Sequence, residues 1–155
     1  YQYFAMEVLG KKAKKAPEER IELYEYMIVN KSWWDTVDYI ASNLAGPYFK
    51  KCPDKIRPVT ERWMDSGNMW LQRTSLLFQL KYKSDTDIGL MTGYIRRLYG
   101  SRAFFINKAI GWILREYSKT DPTWVVDFVQ RENDHLAPFS KREALKWLER
   151  KSVNN

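Results

Sequence analysis

Polar residues return at a nearly fixed interval along this chain. Asp38, Arg73, Lys108 and Arg142 stand 35, 35 and 34 residues apart, and Tyr3 lies 35 before Asp38. Each interval holds about two segments of helical patterning. A period of roughly 33 to 47 residues built on helix pairs marks a helical solenoid, because one pair cannot bury its apolar face alone and must stack on the next. The periods share little identity, so the expected fold is all-α, a HEAT-like helical-repeat solenoid (an α-α superhelix) without a strict consensus. Equivalent positions on successive second helices of such a stack line one concave surface. Tyr3, Asp38, Arg73, Lys108 and Arg142 are expected there as a column.

Apolar spacing predicts helices over 18–29, 32–44, 53–65, 68–82, 87–99, 102–117, 122–131 and 140–150. Trp33, Val37, Ile40 and Leu44 follow one face of the second of these and are expected in the core. Asp121 is placed to cap a helix with Pro122 at its first position, and Pro17 suits a first helical position as well. Ser140 and Glu143 have the spacing of a capping box. Ser66-Gly67-Asn68, Tyr99-Gly100-Ser101 and Ala45-Gly46-Pro47 are expected as turns. Lys11-Lys12-Ala13-Lys14-Lys15 reads as a basic connector, a solvated helix end or loop in preference to a DNA clamp. No strand-like alternation bounded by Asn-Gly or Asp-Gly occurs.

The chain has 155 residues, enough for one domain with a real core. It carries 26 Lys and Arg against 19 Asp and Glu, a net charge of +7 that favours an anionic partner such as nucleic acid. One cysteine, Cys52, excludes an internal disulfide and gives no metal cluster. One histidine, His135, argues against His-based metal binding and against a Ser-His-Asp triad. No cofactor or metal is expected. No apolar run approaches the ~18 residues of a membrane span and no signal peptide is visible, so a cytoplasmic location is expected. The opening from Tyr1 to Leu9 reads as helix interior with no cap before it. The chain, 1–155, is therefore expected to be one repeat domain that starts part-way along a longer protein.

The most unusual segment is Lys31-Ser32-Trp33-Trp34-Asp35-Thr36-Val37-Asp38. Ser32 suits a cap, and Asp35 sits in the first turn, where a carboxylate favours the helix dipole. Trp34 and Asp38 are i and i+4 and share a face, so an aromatic plane and a carboxylate are presented together. Each also has a purely structural reading: packing at the core edge for Trp34, and a salt bridge to Arg73 for Asp38. Arg73 stands among Trp70, Leu71, Leu76 and Leu77, so it needs an anionic partner, either Asp38 or a phosphate. Lys108, Trp112, Arg115 and Lys119 form a cationic stripe opposite Ile106, Ala109, Ile110 and Ile113. A solvated face accounts for the cations but has little use for Trp112, whereas a phosphate-contacting face accounts for both.

The segments 31–38, Met-Trp-Leu-Gln-Arg-Thr-Ser-Leu-Leu-Phe-Gln-Leu-Lys-Tyr-Lys (69–83), Phe-Phe-Ile-Asn-Lys-Ala-Ile-Gly-Trp-Ile-Leu-Arg-Glu-Tyr (104–117) and Leu-Ala-Pro-Phe-Ser-Lys-Arg-Glu-Ala-Leu-Lys (136–146) resemble the bacterial HEAT-like-repeat DNA alkylation repair family. The resemblance runs over essentially the whole chain. It implies a DNA glycosylase for N3- and N7-alkylated purines, acting on duplex DNA without deep base flipping. It also implies that Asp38 is the catalytic carboxylate and that Trp34 and Trp112 are active-site aromatics. Arg73 matches an arginine that contacts the DNA backbone, and Arg115 a further DNA-facing position. The family has additional helices before the equivalent of Tyr1, so the resemblance implies that 1–155 is the C-terminal two-thirds of a longer protein.

These residue types suit that reaction. An alkylated purine is cationic, so its glycosidic bond is already weakened, and the protein must stabilise an oxocarbenium-like sugar and place a water. A carboxylate can do both. Tryptophan faces attract the cationic nucleotide, and Arg73, Lys108, Arg115 and Arg142 would hold phosphates. Two other readings fit a basic helical repeat: a non-catalytic protein that binds DNA structures, and a protein-binding scaffold.

Overall fold

Helix boundaries follow from local chemistry. Asn68, Asp87 and Asp121 each precede a helix, and their side-chain oxygens accept hydrogen bonds from backbone amides two or three residues on. Those amides have no partner within the helix, so each cap satisfies a donor that would otherwise be left open. Gly67 and Gly100 turn the chain at φ +70° and +81°, a region that strains other residues.

The computed structural model describes residues 20–30 and 33–155. Among these the regular elements are all helical, and no strand occurs. They fall into two compact units, one ending at Phe78 and the other beginning at Gln79. Among the described residues, no helix is long and apolar enough to cross a membrane.

The first unit contains α1 (Arg20–Asn30), α2 (Trp34–Tyr39), a π turn (Ile40–Ala45), α3 (Gly46–Lys51), a 3-10 turn (Pro53–Lys55), α4 (Ile56–Asp65) and α5 (Met69–Leu77). Its core is aromatic. Phe49 meets Tyr48, Trp63 and Phe78 edge-on at centroid distances of 5.4, 6.0 and 5.0 Å, and all four rings are buried. The second unit contains a 3-10 turn (Lys83–Asp85), α6 (Ile88–Arg97), α7 (Phe104–Ser118), α8 (Pro122–Arg131) and α9 (Pro138–Val153). Aliphatic side chains such as Ile95, Ile110, Leu114 and Val125 fill it around Phe128.

The sequence period is visible as bonds between repeats. In the first unit Glu25 of α1 pairs with Arg62 of α4, and Asp38 of α2 pairs with Arg73 of α5, at separations of 37 and 35 residues. In the second unit Arg96 of α6 pairs with Glu132 at the end of α8, and Ser140 of α9 donates to the Asn107 carbonyl of α7, at separations of 36 and 33 residues. First helices tie to first helices and second to second.

Four local expectations are corrected. Ala45-Gly46-Pro47 is no turn, because the chain stays helical from α2 through the π turn into α3. The Gly46 amide donates to the carbonyl of Ala41, five residues back, and this wider turn leads directly into Pro47, whose ring cannot be seated in an ordinary helix interior. Ser140 and Glu143 form no capping box. Pro138 starts α9 two residues earlier with Ala137 at the cap position, which leaves Ser140 buried inside the first turn and Glu143 paired with Arg115. Trp33 is 60% exposed and not in the core. It sits at the cap position with extended backbone, off the Val37-Ile40-Leu44 stripe that is buried. The helix expected over 68–82 ends at Leu77, where Phe78 closes it and the Gln79 side chain bonds both ways to the Asp87 backbone. Tyr3, Lys11–Lys15, Pro17 and Ser32 lie outside the described residues.

Candidate functional site

Asp38 is placed by α2 and the π turn that continues it, which bury Val37, Ile40 and Leu44 completely. That burial fixes the helix rotation and leaves the Asp38 side chain 11% exposed. Trp34, one turn earlier on the same face, is 45% exposed. The Asp35 carboxylate accepts from the Thr36 amide in the first turn at 2.8 Å.

Arg73 reaches Asp38 from α5. The Asn68 cap starts that helix, and Leu71, Leu76 and Leu77 bury it so deeply that Arg73 is 1% exposed. Its Nε donates to Oδ1 of Asp38 at 2.7 Å and its Nη2 to Oδ2 at 2.9 Å. This two-pronged geometry is the strongest form of the pair and fixes the carboxylate plane. A carboxylate has about four acceptor sites, and Arg73 takes one on each oxygen, so capacity remains for a water or a developing cation. Of the two partners expected for Arg73, Asp38 and phosphate, the structure gives Asp38, and the guanidinium faces the carboxylate with almost no surface in solvent.

Trp34, Asp38 and Arg73 are thus brought together in the first unit. Lys108, Trp112, Arg115 and Arg142 belong to the second. Lys108 and Arg142 are exposed on α7 and α9, and Trp112 is half-buried on α7. Arg115 bonds Glu143 of α9 at 2.9 Å and keeps 26% of its side chain exposed. Glu143 also meets Lys146 at 3.4 Å.

Sequence reasoning passed over two residues. Gly111, beside Trp112, lies where α9 presses on α7: a methyl group there would stand 2.6 Å from Glu143 Cβ and 3.0 Å from the Ser140 carbonyl oxygen. A glycine inside a helix signals such close approach. Glu132 was also missed. It accepts from Arg96 at 2.6 and 3.0 Å and from the Tyr99 hydroxyl at 2.9 Å. Arg96 holds its carboxyl below the usual range against the opposing effect of burial. Tyr99 is pushed up, first by burial and then by that bond to Glu132. Among the described residues, no His, Cys, Asp and Glu side chains gather in a group of three that could hold a metal ion.

The model of the DNA alkylation repair enzyme family matches residues 1–148, and the chain belongs to that family. Among solved structures it is similar to a predicted DNA alkylation repair enzyme from Enterococcus faecalis, at 32% identity and a TM-score of 0.85. That similarity covers 96% of this chain and 68% of the other. Among curated proteins nothing matches.

Proposed function

We propose that the protein is a DNA glycosylase that hydrolyses the N-glycosidic bond of N3- and N7-alkylated purines in duplex DNA. The observation that carries this reading is the Asp38 carboxylate, held on both oxygens by buried Arg73 and presented beside exposed Trp34. The bond from C1′ to the base nitrogen breaks, and its electron pair leaves with the base, which thereby becomes neutral. Asp38 faces the cation that develops on the sugar and orients the water whose oxygen attaches to C1′. That water's second proton passes to the carboxylate and on to solvent.

Arg73 acts as a positioning residue, because it grips both oxygens of Asp38 and its surface is almost wholly buried. Trp34 offers a π face to the cationic nucleotide, worth about 0.5–2 kcal/mol. Lys108 and Arg142, both exposed, hold the DNA backbone, and Arg115 assists while oriented by Glu143. Because these are phosphate contacts, binding weakens steeply as salt rises. Trp34 lies at the surface, which suits capture of the damaged nucleotide without drawing it into a deep pocket.

The test is release of free base from methylated duplex DNA. Appearance of 7-methylguanine over an enzyme-free control is the expected result. Salt-dependent duplex binding with no release would instead favour a non-catalytic DNA-binding role.

A further inference from the structure

Phe104 opens α7, and 55% of it is exposed. The ring of Phe139, near the start of α9, stands 5.3 Å away with its plane tilted by 36°. Lys108 Nζ hangs 5.7 Å from the centre of the Phe104 ring, and Arg102 and Arg142 are exposed close by in the chain. Among the described residues, none of these three cations pairs with a carboxylate. Phe104 also continues the α7 stripe, one turn before Lys108 and two before Trp112.

Exposed Phe104 with half-buried Phe139 beside it forms an apolar patch of the kind that marks an interaction surface. Three cations around it disfavour an apolar protein partner, since each would lose its hydration without gaining a counter-charge. Nucleic acid supplies both complements, phosphates for the cations and base faces for the rings. Within a paired duplex every base face is covered by its neighbours, so away from the ends only an unpaired nucleotide has one to offer. We propose that Phe104 and Phe139, flanked by Arg102, Lys108 and Arg142, form a stacking platform for an unpaired nucleotide in DNA. The proposal rests on the reading that the exposed face of α7 meets DNA. It adds a preference for sites where pairing is locally lost.

The test is fluorescence anisotropy at fixed salt with three end-labelled, unalkylated 16-mer duplexes: fully paired, carrying a one-nucleotide bulge, and carrying the same bulge without its base. The bulged duplex should bind about 5- to 10-fold more tightly than either of the others, the scale of one base stacking on an aromatic side chain. Phe104→Leu keeps an apolar side chain of similar size without a π face, and Phe104→Ala with Phe139→Ala removes both rings. Either variant, with its thermal transition checked, should bring the three affinities to within about twofold, the residue of the shared phosphate contacts. Equal binding of the three duplexes by the unaltered protein overturns the platform, as does a bulge preference that survives Phe104→Leu. No binding to any duplex overturns the platform together with the reading on which it rests. Base release is not measured, so a glycosylase without the platform remains distinguishable.

Discussion

Second helices are joined differently in the two units. In the first, α2 and α5 are joined by the charged Asp38–Arg73 pair. In the second, α7 and α9 are joined by a neutral hydrogen bond of 2.7 Å from the Ser140 hydroxyl to the Asn107 carbonyl, beside the close approach at Gly111, and by an Arg115–Glu143 ion pair whose arginine, unlike Arg73, keeps 26% of its side chain exposed. The separations are similar, 35 and 33 residues. As a clamp, the neutral tie is the economical one, with a net worth of about 0.5–1.5 kcal/mol and little desolvation. A buried ion pair carries a desolvation cost that well-packed apolar residues avoid. Holding the repeats together therefore does not require a pair as deeply buried as Asp38–Arg73, and what that pair adds is a carboxylate held in one orientation.

The comparison can be broken at each tie, with effects of descending size. Arg73→Ala leaves Asp38 inside without its counter-charge and should cost about 3–5 kcal/mol in denaturant unfolding. Gly111→Ala forces α7 and α9 apart and should cost about 1–3 kcal/mol in the same measurement. Ser140→Ala removes only the neutral tie and should cost about 0.5–1.5 kcal/mol.

The smallest effect is expected at Glu132. Its folded pKa lies below the ordinary 4.5 because Arg96 donates to it. Its stabilisation is therefore complete above that value and lost as pH falls through the lowered one. Arg96 is 52% exposed, so solvent weakens the contribution. Glu132→Gln should lower the melting temperature slightly at neutral pH, with the gap to the unaltered protein closing below pH 4.5. A gap that widens with acid would contradict this.

Much of this architecture is legible in the sequence because the signals are local or periodic. The helices, the Asp121-Pro122 start and the turns at Gly67 and Gly100 all follow from short-range rules. Arg73 is readable too, since a cation amid leucines and a tryptophan demands a partner and Asp38 stands one period away. What escapes is decided by packing. Pro47 reads as a break, yet a π turn carries the helix into it. Ser140 reads as a cap because Pro138, two residues earlier, competes for the helix start. Glu143, spaced as the far end of that box, turns to Arg115 and packs on Gly111 across a helix interface that no local pattern encodes. The chemical roles proposed for Trp34, Asp38 and Trp112 rest on family resemblance and not on spacing.

The most direct test sets the two ties against each other in one assay, single-turnover release of 7-methylguanine from methylated duplex DNA. Asp38→Asn and Ser140→Ala are compared with the unaltered protein at saturating enzyme, with folding and duplex binding checked for each. Asp38→Asn should bind the duplex yet release base about 100-fold more slowly or worse, the scale of losing a charge-stabilising group at a reacting centre. Ser140→Ala should remain within about threefold, consistent with a tie whose loss costs only stability. Unchanged release by Asp38→Asn, or equal losses in both variants, would contradict the division between a chemical tie and a structural one.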